Sequence, residues 1–331
     1  MPWKKWLFAA GLTGLILLTA CGGKKAGLQE QAVLPDKTLH ENGLEFLTKS
    51  QFIKARLSFQ TLINTYDESP YLEKAKYYIA YSYLREGGIE NLIQAEQAFK
   101  DFKLFFPASD LADDAQAHVI KINMHMMKEP NRDTTYALRS RVEVQNFLNE
   151  FPDSPLANEM RARLQYIEDT LAMSNFLKAK FYHRKNFTKA SASRLRECVA
   201  QYPHFRYRDE ALFLLADSLD KLKNFDESTI YYAQLARGFP FSKYFEEARD
   251  RLRKLEKPVP EVDQRLAEEN KKYYEEGKSL FGGSREAVFG SFGLGKDEPW
   301  RQMEKQRDKE ERERLKIEAG KAEKSASKES K

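Results

Sequence analysis

Apolar residues recur with helical spacing along most of the chain, from about residue 37 to residue 256, and no useful stretch alternates strictly as a β-strand would. An aromatic residue followed by proline or aspartate separates the apolar stretches, at Tyr66-Asp67, Phe106-Pro107, Phe151-Pro152, Tyr202-Pro203 and Phe239-Pro240. A serine often lies two places further on, as at Ser69, Ser109, Ser154 and Ser242. Because proline ends a helix and serine can cap the next one, this spacing predicts five helical hairpins of about forty residues each.

Small and large residues alternate inside the hairpins in the tetratricopeptide pattern, where W-x2-L-G-x2-Y precedes A-x3-F and P. The first hairpin has Leu39, Gly43, Phe46, Ala55, Phe59 and Leu62 at the matching positions. Small residues fall where two helices cross closely, and large ones fill the space between them. The pattern predicts an all-α fold, a right-handed α-solenoid of about five tetratricopeptide-like hairpins over residues 37–256.

The N-terminus has the layout of a bacterial lipoprotein signal. Lys4 and Lys5 precede an apolar run too short for a comfortable bilayer span, so residues 1–20 are predicted to be a signal peptide. Leu-Thr-Ala before Cys21 resembles a lipobox, which predicts that Cys21 is lipidated, with residues 21–36 as a flexible tether. The alternative is an uncleaved anchor with an incidental cysteine. Gly22 stands where an aspartate would signal inner-membrane retention in enterobacterial lipoproteins, which favours the outer membrane and a periplasmic body.

Composition narrows the possible functions. The chain has 331 residues, 32% of them charged, and a net charge of +5, of which +2 lies in the signal and +3 in residues 301–331. The rest of the chain has no net charge, which disfavours nucleic-acid binding.

Residues 257–300 are predicted to be a glycine-rich linker. Residues 301–331 are predicted to be a charged tail, helical or disordered, whose first half is a solvated helix braced by the i,i+4 pairs Asp308–Arg312 and Glu310–Arg314.

No constellation of residues indicates an enzyme, a cofactor or a metal site. The five histidines are scattered over different hairpins, and Cys198 falls where the repeat needs a small buried residue. Residues 290–296 match G-x4-G-K, but Asp297 stands where a phosphate-binding loop needs serine or threonine. The segment is better interpreted as part of the linker.

One polar stripe indicates a binding surface. The residues Lys74, Tyr77, Tyr81 and Leu84 share one face of the predicted first helix of the second hairpin, and Lys121 occupies the corresponding position in the third. The first helices of such repeats line a concave surface that binds extended peptides or helices. We therefore predict a peptide-binding groove in which Lys74 contacts a C-terminal carboxylate. The alternative is an ordinary solvated face.

Further motifs carry a resemblance to a known family. They are Tyr66-Asp67-Glu68-Ser69-Pro70-Tyr71, Arg132-Asp133-Thr134-Thr135, Phe151-Pro152-Asp153-Ser154-Pro155 and Phe181-Tyr182-His183-Arg184 with Arg194. With the lipobox, their order resembles the BamD (ComL) family, the tetratricopeptide lipoproteins of the outer-membrane β-barrel assembly complex. Asp67 departs from the proline of that family, and residues beyond 257 have no counterpart in it.

The resemblance implies a non-enzymatic scaffold on the outer membrane. Its N-terminal hairpins would receive the C-terminal signal of unfolded barrel precursors. Its C-terminal hairpins would contact the periplasmic domains of the barrel-forming subunit and other assembly lipoproteins, with Arg194 on that second surface. The alternative is a generic periplasmic tetratricopeptide lipoprotein that serves as an adaptor in cell division or envelope transport.

Overall fold

The computed structural model describes residues 35–271 and 299–329 of the chain. Its helices are α1 (Asp36–Thr48), α2 (Phe52–Thr65), α3 (Leu72–Glu86), α4 (Ile89–Phe105), α5 (Ala112–His125), α6 (Thr135–Glu150), α7 (Ala157–Arg184), α8 (Thr188–Gln201), α9 (Arg208–Lys221), α10 (Phe225–Gly238), α11 (Phe245–Lys254) and the C-terminal helix (Pro299–Glu329). Residues 264–271 are also helical, and no strand occurs in either described range. None of the described helices combines the length and the apolar character needed to cross a membrane.

Each helix from α1 to α11 packs on the next one in the chain, which makes an α-solenoid of successive hairpins. The prediction of an all-α solenoid is confirmed. Large side chains fill the space between the helices as the repeat pattern requires, with Phe59, Phe99 and Phe102 buried in the N-terminal hairpins and Phe147 and Tyr232 in the C-terminal ones. Burial of these aromatic rings stabilises the solenoid, since each removes a large apolar area from water.

The predicted serines connect neighbouring hairpins. Their hydroxyls donate to a carboxylate on the first helix of the preceding hairpin, in the pairs Ser69–Asp36 (2.7 Å), Ser109–Glu73, Ser154–Asp113 (2.7 Å) and Ser242–Asp209 (2.6 Å). Each hydroxyl also accepts from the backbone N–H two residues on, as Ser242 does from Tyr244 at 3.2 Å. The prediction that these serines are the N-caps of the next helices is wrong. The N-cap is the residue two positions after the serine, as Tyr244 is after Ser242.

Removal of the Ser242 hydroxyl is expected to destabilise the protein. Ser242→Ala leaves the mostly buried Asp209 without one of its hydrogen bonds, so we expect the free energy of unfolding to fall by about 1–2 kcal/mol. Urea unfolding followed by circular dichroism measures the change. The exposed Ser193 on α8 supplies the control Ser193→Ala, and an equal effect of the two substitutions would contradict the assigned role of the serine contact.

The C-terminal helix differs most from expectation. It packs against α1 and α7, and its residues Trp300, Glu311, Leu315 and Ala319 are buried. The expectation of a solvated helix with internal ion pairs is therefore wrong for this face. Asp308 accepts two hydrogen bonds from Lys121, at 2.7 and 2.8 Å, while Arg312 donates to the Asp308 backbone carbonyl at 2.8 Å. Asp308 and Arg314, one member of each predicted pair, are therefore directed to the solenoid, while Arg312 and Glu310 keep partners on their own helix.

Candidate binding groove

The C-terminal helix lies on the first helices of the first four hairpins. We call the surface formed by α1, α3, α5 and α7 the first-helix groove. Tyr77 and Tyr81 on α3 are buried in it, with 1% and 2% of their surfaces exposed, while Lys74 remains exposed and Lys121 is half-buried. Leu84 is half-buried and lines a small cavity together with Tyr81, Lys121 and residues of the C-terminal helix. The structure thus brings all five predicted peptide-binding residues to one surface.

A sixth predicted residue, Arg194, lies outside the groove. Arg194 is exposed on α8, a second helix of a hairpin, and its Nη1 lies 3.5 Å from Oε2 of Glu197. Cys21 lies outside the described residues, as do residues 290–296 with their phosphate-loop pattern.

A buried trio occupies the middle of the groove. The Tyr77 hydroxyl donates to Oε1 of Glu311 at 3.2 Å, and Nε2 of His118 lies 3.2 Å from that oxygen and 3.1 Å from the tyrosine oxygen. Burial opposes ionisation of Glu311, but His118, Arg307 and Arg314 outweigh this effect and lower the pKa of Glu311 to about 2. The groove therefore binds an ionised carboxylate from the C-terminal helix. The role of His118 in this trio was not predicted, because a single histidine on an apolar helix forms no recognisable sequence motif.

A second carboxylate binds near α1. The Tyr78 hydroxyl donates to Oε2 of Glu318 at 2.7 Å, and Nζ of Lys74 lies 3.5 Å from the other oxygen of the same side chain. His40 is buried beside this pair and stacks on Tyr71 with 4.7 Å between ring centroids. Burial and the charge of Lys74 lower the pKa of His40 to about 4, despite the opposing effect of Glu318. Lys74 thus faces a side-chain carboxylate of the same chain, and its contact with the C-terminal carboxylate of a peptide stays a prediction.

The other end of the groove holds a charged cluster that the sequence did not predict. Arg163 on α7 is fully buried; its Nε donates to Oε1 of Glu159 at 2.8 Å, and its Nη2 lies 3.0 Å from Oε2 of Glu304. Trp300 covers this arginine, with the guanidinium carbon 4.8 Å from the ring centroid, and contacts Tyr166 edge to face. A cavity of about 390 Å³ opens beside the indole.

Basic side chains of the C-terminal helix also face acidic side chains of the groove. Nη1 of Arg307 lies 3.5 Å from Oε1 of Glu159, and Nη2 of Arg314 lies 3.4 Å from Oδ2 of Asp114. Burial raises the pKa of Asp114, although His118 and Arg314 partly offset the effect. The groove therefore selects a helix with acids and bases in a fixed order, and its polar contacts fix the register of that helix.

Acid is expected to release the C-terminal helix. The pKa of Glu311 lies below its ordinary value of 4.5 when the helix is docked, so the docked state is favoured when this group is ionised. The stabilisation is complete above about pH 5 and is lost as the pH falls towards about 2. A chain that starts at residue 22 has Trp300 as its single tryptophan, so its fluorescence should report exposure of the indole in this range.

Two other groups affect that titration. His40 titrates with a lowered pKa and weakens the folded state between about pH 6.5 and pH 4, and Asp114 faces the same carboxylate. The wild type is therefore compared with Glu311→Gln, which keeps an acceptor and removes the charge. We expect this variant to lose the fluorescence change below pH 4.5. An identical titration of the two proteins would show that Glu311 does not couple docking to pH.

The described part of the chain contains no group of histidine, cysteine, aspartate or glutamate side chains that could hold a metal ion. Cys198 is fully buried, and burial raises the pKa of its thiol to about 12, so the thiol is unreactive at neutral pH.

Comparison with known proteins decides the family. The family model described as YfiO, outer membrane lipoprotein, matches residues 33–229, which is more than half of the chain. The chain belongs to the YfiO outer membrane lipoprotein family. The resemblance inferred from the sequence is therefore confirmed, and the match to this family ends within α10, well before the C-terminal helix.

Several relatives of this YfiO-family chain are named outer membrane protein assembly factor BamD. The protein of Rickettsia prowazekii (strain Madrid E) is 25% identical over 247 residues, which cover 74% of this chain and 95% of that protein. The protein of Pasteurella multocida (strain Pm70) is 24% identical over 214 residues, which cover 62% of this chain and 80% of that protein. The protein of Neisseria gonorrhoeae is 21% identical over 261 residues, covering 74% and 95%.

Proposed function

We propose that this lipoprotein is a non-enzymatic scaffold of the outer-membrane β-barrel assembly machinery. Membership in the YfiO family and the names of the relatives support this role. We place the protein on the periplasmic face of the outer membrane, tethered by lipid on Cys21. In this proposal the body takes part in inserting outer-membrane proteins and associates with the barrel-forming subunit.

The first-helix groove is the proposed site for segments of unfolded barrel precursors. The observation that carries this assignment is the set of carboxylate contacts made by Lys74, Tyr77 and Lys121. A precursor segment ends in a carboxylate and carries aromatic side chains, and the groove presents cations beside tyrosine rings. Tyr81 and Leu84 extend the same surface and supply apolar contact.

The second proposed surface surrounds Arg194 on α8. Its guanidinium is exposed, and its ion pair among the described residues is with the i,i+3 carboxylate of Glu197, so it can exchange that contact for one with a partner. We propose that this side of the solenoid contacts periplasmic domains of the barrel-forming subunit and other assembly lipoproteins. The solenoid then holds precursor and machinery on separate faces.

Co-purification tests this assignment. The tagged full-length protein is recovered from detergent-solubilised membranes of its own cells, and its most abundant partner is identified by mass spectrometry. We expect a β-barrel protein with periplasmic domains, and we expect Arg194→Glu to reduce its recovery about tenfold or more. Arg139→Glu is the matched control, because Arg139 is an exposed arginine on α6, the second helix of the preceding hairpin.

Recovery of cell-division or envelope-transport proteins in place of a barrel would favour the adaptor alternative. Equal recovery of the barrel with Arg194→Glu and with Arg139→Glu would keep the assembly role but move the second surface away from α8.

A further inference from the structure

We propose that the C-terminal helix is a displaceable intramolecular ligand that closes the first-helix groove to external segments. The inference rests on the proposed function only for the identity of the external segment. The helix lies outside the residues that match the family model. Its contacts fall on the residues that sequence analysis assigns to peptide binding.

The overlap is direct at three points. Lys74 faces Glu318, Tyr77 donates to Glu311, and Lys121 donates to Asp308. Tyr81 and Leu84 share a cavity wall with Asp308 and Glu311. An external segment must displace the helix to use Lys74, Tyr77 and Lys121, because each of these three already has a charged or hydrogen-bonded partner on it.

The composition of the interface suits release. The C-terminal helix has few apolar residues on its buried side, and among its described side chains the buried ones are Trp300, Glu311, Leu315 and Ala319. Several of its other contacts are ion pairs whose side chains remain partly open to water, such as Lys74–Glu318 and Arg314–Asp114, while the pairs Arg163–Glu304 and Arg307–Glu159 are largely buried. The partly open pairs contribute little each and are screened by salt, so they fix the position of the helix more than they hold it in place.

Covalent linkage compensates for weak contacts. Residues 272–298 join the helix to the solenoid, so the helix competes at the high effective concentration of an intramolecular ligand. The apparent affinity of the groove for an external segment is then reduced by the fraction of molecules in which the groove is open. An open fraction of about one in ten raises the apparent Kd about tenfold.

Charge reversal on the helix tests the proposal without altering the groove. The full-length protein is prepared as wild type, as Glu304→Lys/Glu311→Lys, which reverses two contacts with the groove, and as Glu310→Lys/Glu313→Lys. The last variant makes the same change of charge at exposed positions of the same helix. Two fluorescent peptides are the probes: one has the sequence of residues 299–321, and the other is the C-terminal strand of an outer-membrane β-barrel protein. Circular dichroism verifies that the solenoid of each variant is folded.

We expect the groove-facing variant to bind both probes at least about tenfold more tightly than the wild type and the exposed-face control. Binding of the 299–321 peptide to this variant alone, with no binding of the barrel peptide to any protein, would support the closure and contradict the proposed precursor site. Equal affinity of all three proteins for the 299–321 peptide would overturn the closure. Equal binding of the barrel peptide to all three would also overturn it and would leave the proposed precursor site standing.

Discussion

Replacement of Arg163 by alanine is expected to lower the free energy of unfolding by about 3–5 kcal/mol. The guanidinium is fully buried and is shared between Glu159 on the same helix and Glu304 on the C-terminal helix. Its removal leaves the buried Glu159 with less compensation for desolvation, and it takes away the cation under the Trp300 ring. Urea unfolding of a chain starting at residue 22 measures the loss, and Trp300 fluorescence should show the indole exposed before the solenoid unfolds.

Arg161→Ala is the matched control for this prediction. Arg161 lies on the same helix, is exposed and donates to Asn158 at 2.9 Å, so its loss should change stability by less than about 0.5 kcal/mol. The loss of stability in Arg163→Lys should fall between those of Arg163→Ala and Arg161→Ala, because lysine keeps the charge but lacks the planar guanidinium that binds two carboxylates. An Arg163→Ala variant as stable as the control would mean that the buried cluster does not hold the C-terminal helix.

Gly43→Ala is expected to destabilise the first hairpin although alanine favours helix formation. A methyl group at this position in α1 would lie 2.6 Å from Cζ and 2.8 Å from Cδ1 of Phe59, closer than carbon atoms pack. The Phe59 ring is fully buried and packs between His40 and Tyr78, so it cannot move away without cost. We expect a loss of about 1–3 kcal/mol from overpacking, reduced by up to about 1 kcal/mol of helix propensity.

A double-mutant cycle with Phe59→Leu tests the cause. The smaller side chain leaves room for the methyl group, so Gly43→Ala should cost much less in the Phe59→Leu background than alone. The coupling between the two positions is measured by urea unfolding of the four proteins. Additive effects would contradict a steric clash between α1 and α2.

The solenoid was predictable because its determinants are local. Gly43 and Phe59 lie 16 positions apart in one hairpin, and an aromatic residue followed by proline or aspartate recurs at the end of each repeat. Helix spacing, breakers and small residues at crossings therefore identify the fold directly. The serines were recognised as boundary residues, but their carboxylate partners in the preceding hairpin were not, because that contact depends on how hairpins stack.

The occupied groove could not be predicted for a different reason. The face that the C-terminal helix buries is mostly charged, with Glu304, Asp308 and Glu311 at helical spacing, and it lacks the apolar stripe that indicates a packed helix. Its partners lie some 190 residues away on α5 and on other first helices, as in the contact between His118 and Glu311. The acidic and basic residues of this helix also lie four positions apart, as they do in the ion pairs of a solvated helix. The sequence alone therefore favours partners within the helix over partners on the solenoid.

The proposed role of this YfiO-family chain is the assembly of outer-membrane β-barrels. Its most direct test is to deplete the protein in its own cells and measure the folded fraction of abundant barrel proteins by their heat-dependent migration in gels. We expect the folded fraction to fall for several unrelated barrels while their unfolded precursors accumulate. Normal amounts of folded barrels in depleted cells that fail in division or envelope transport would contradict the claim.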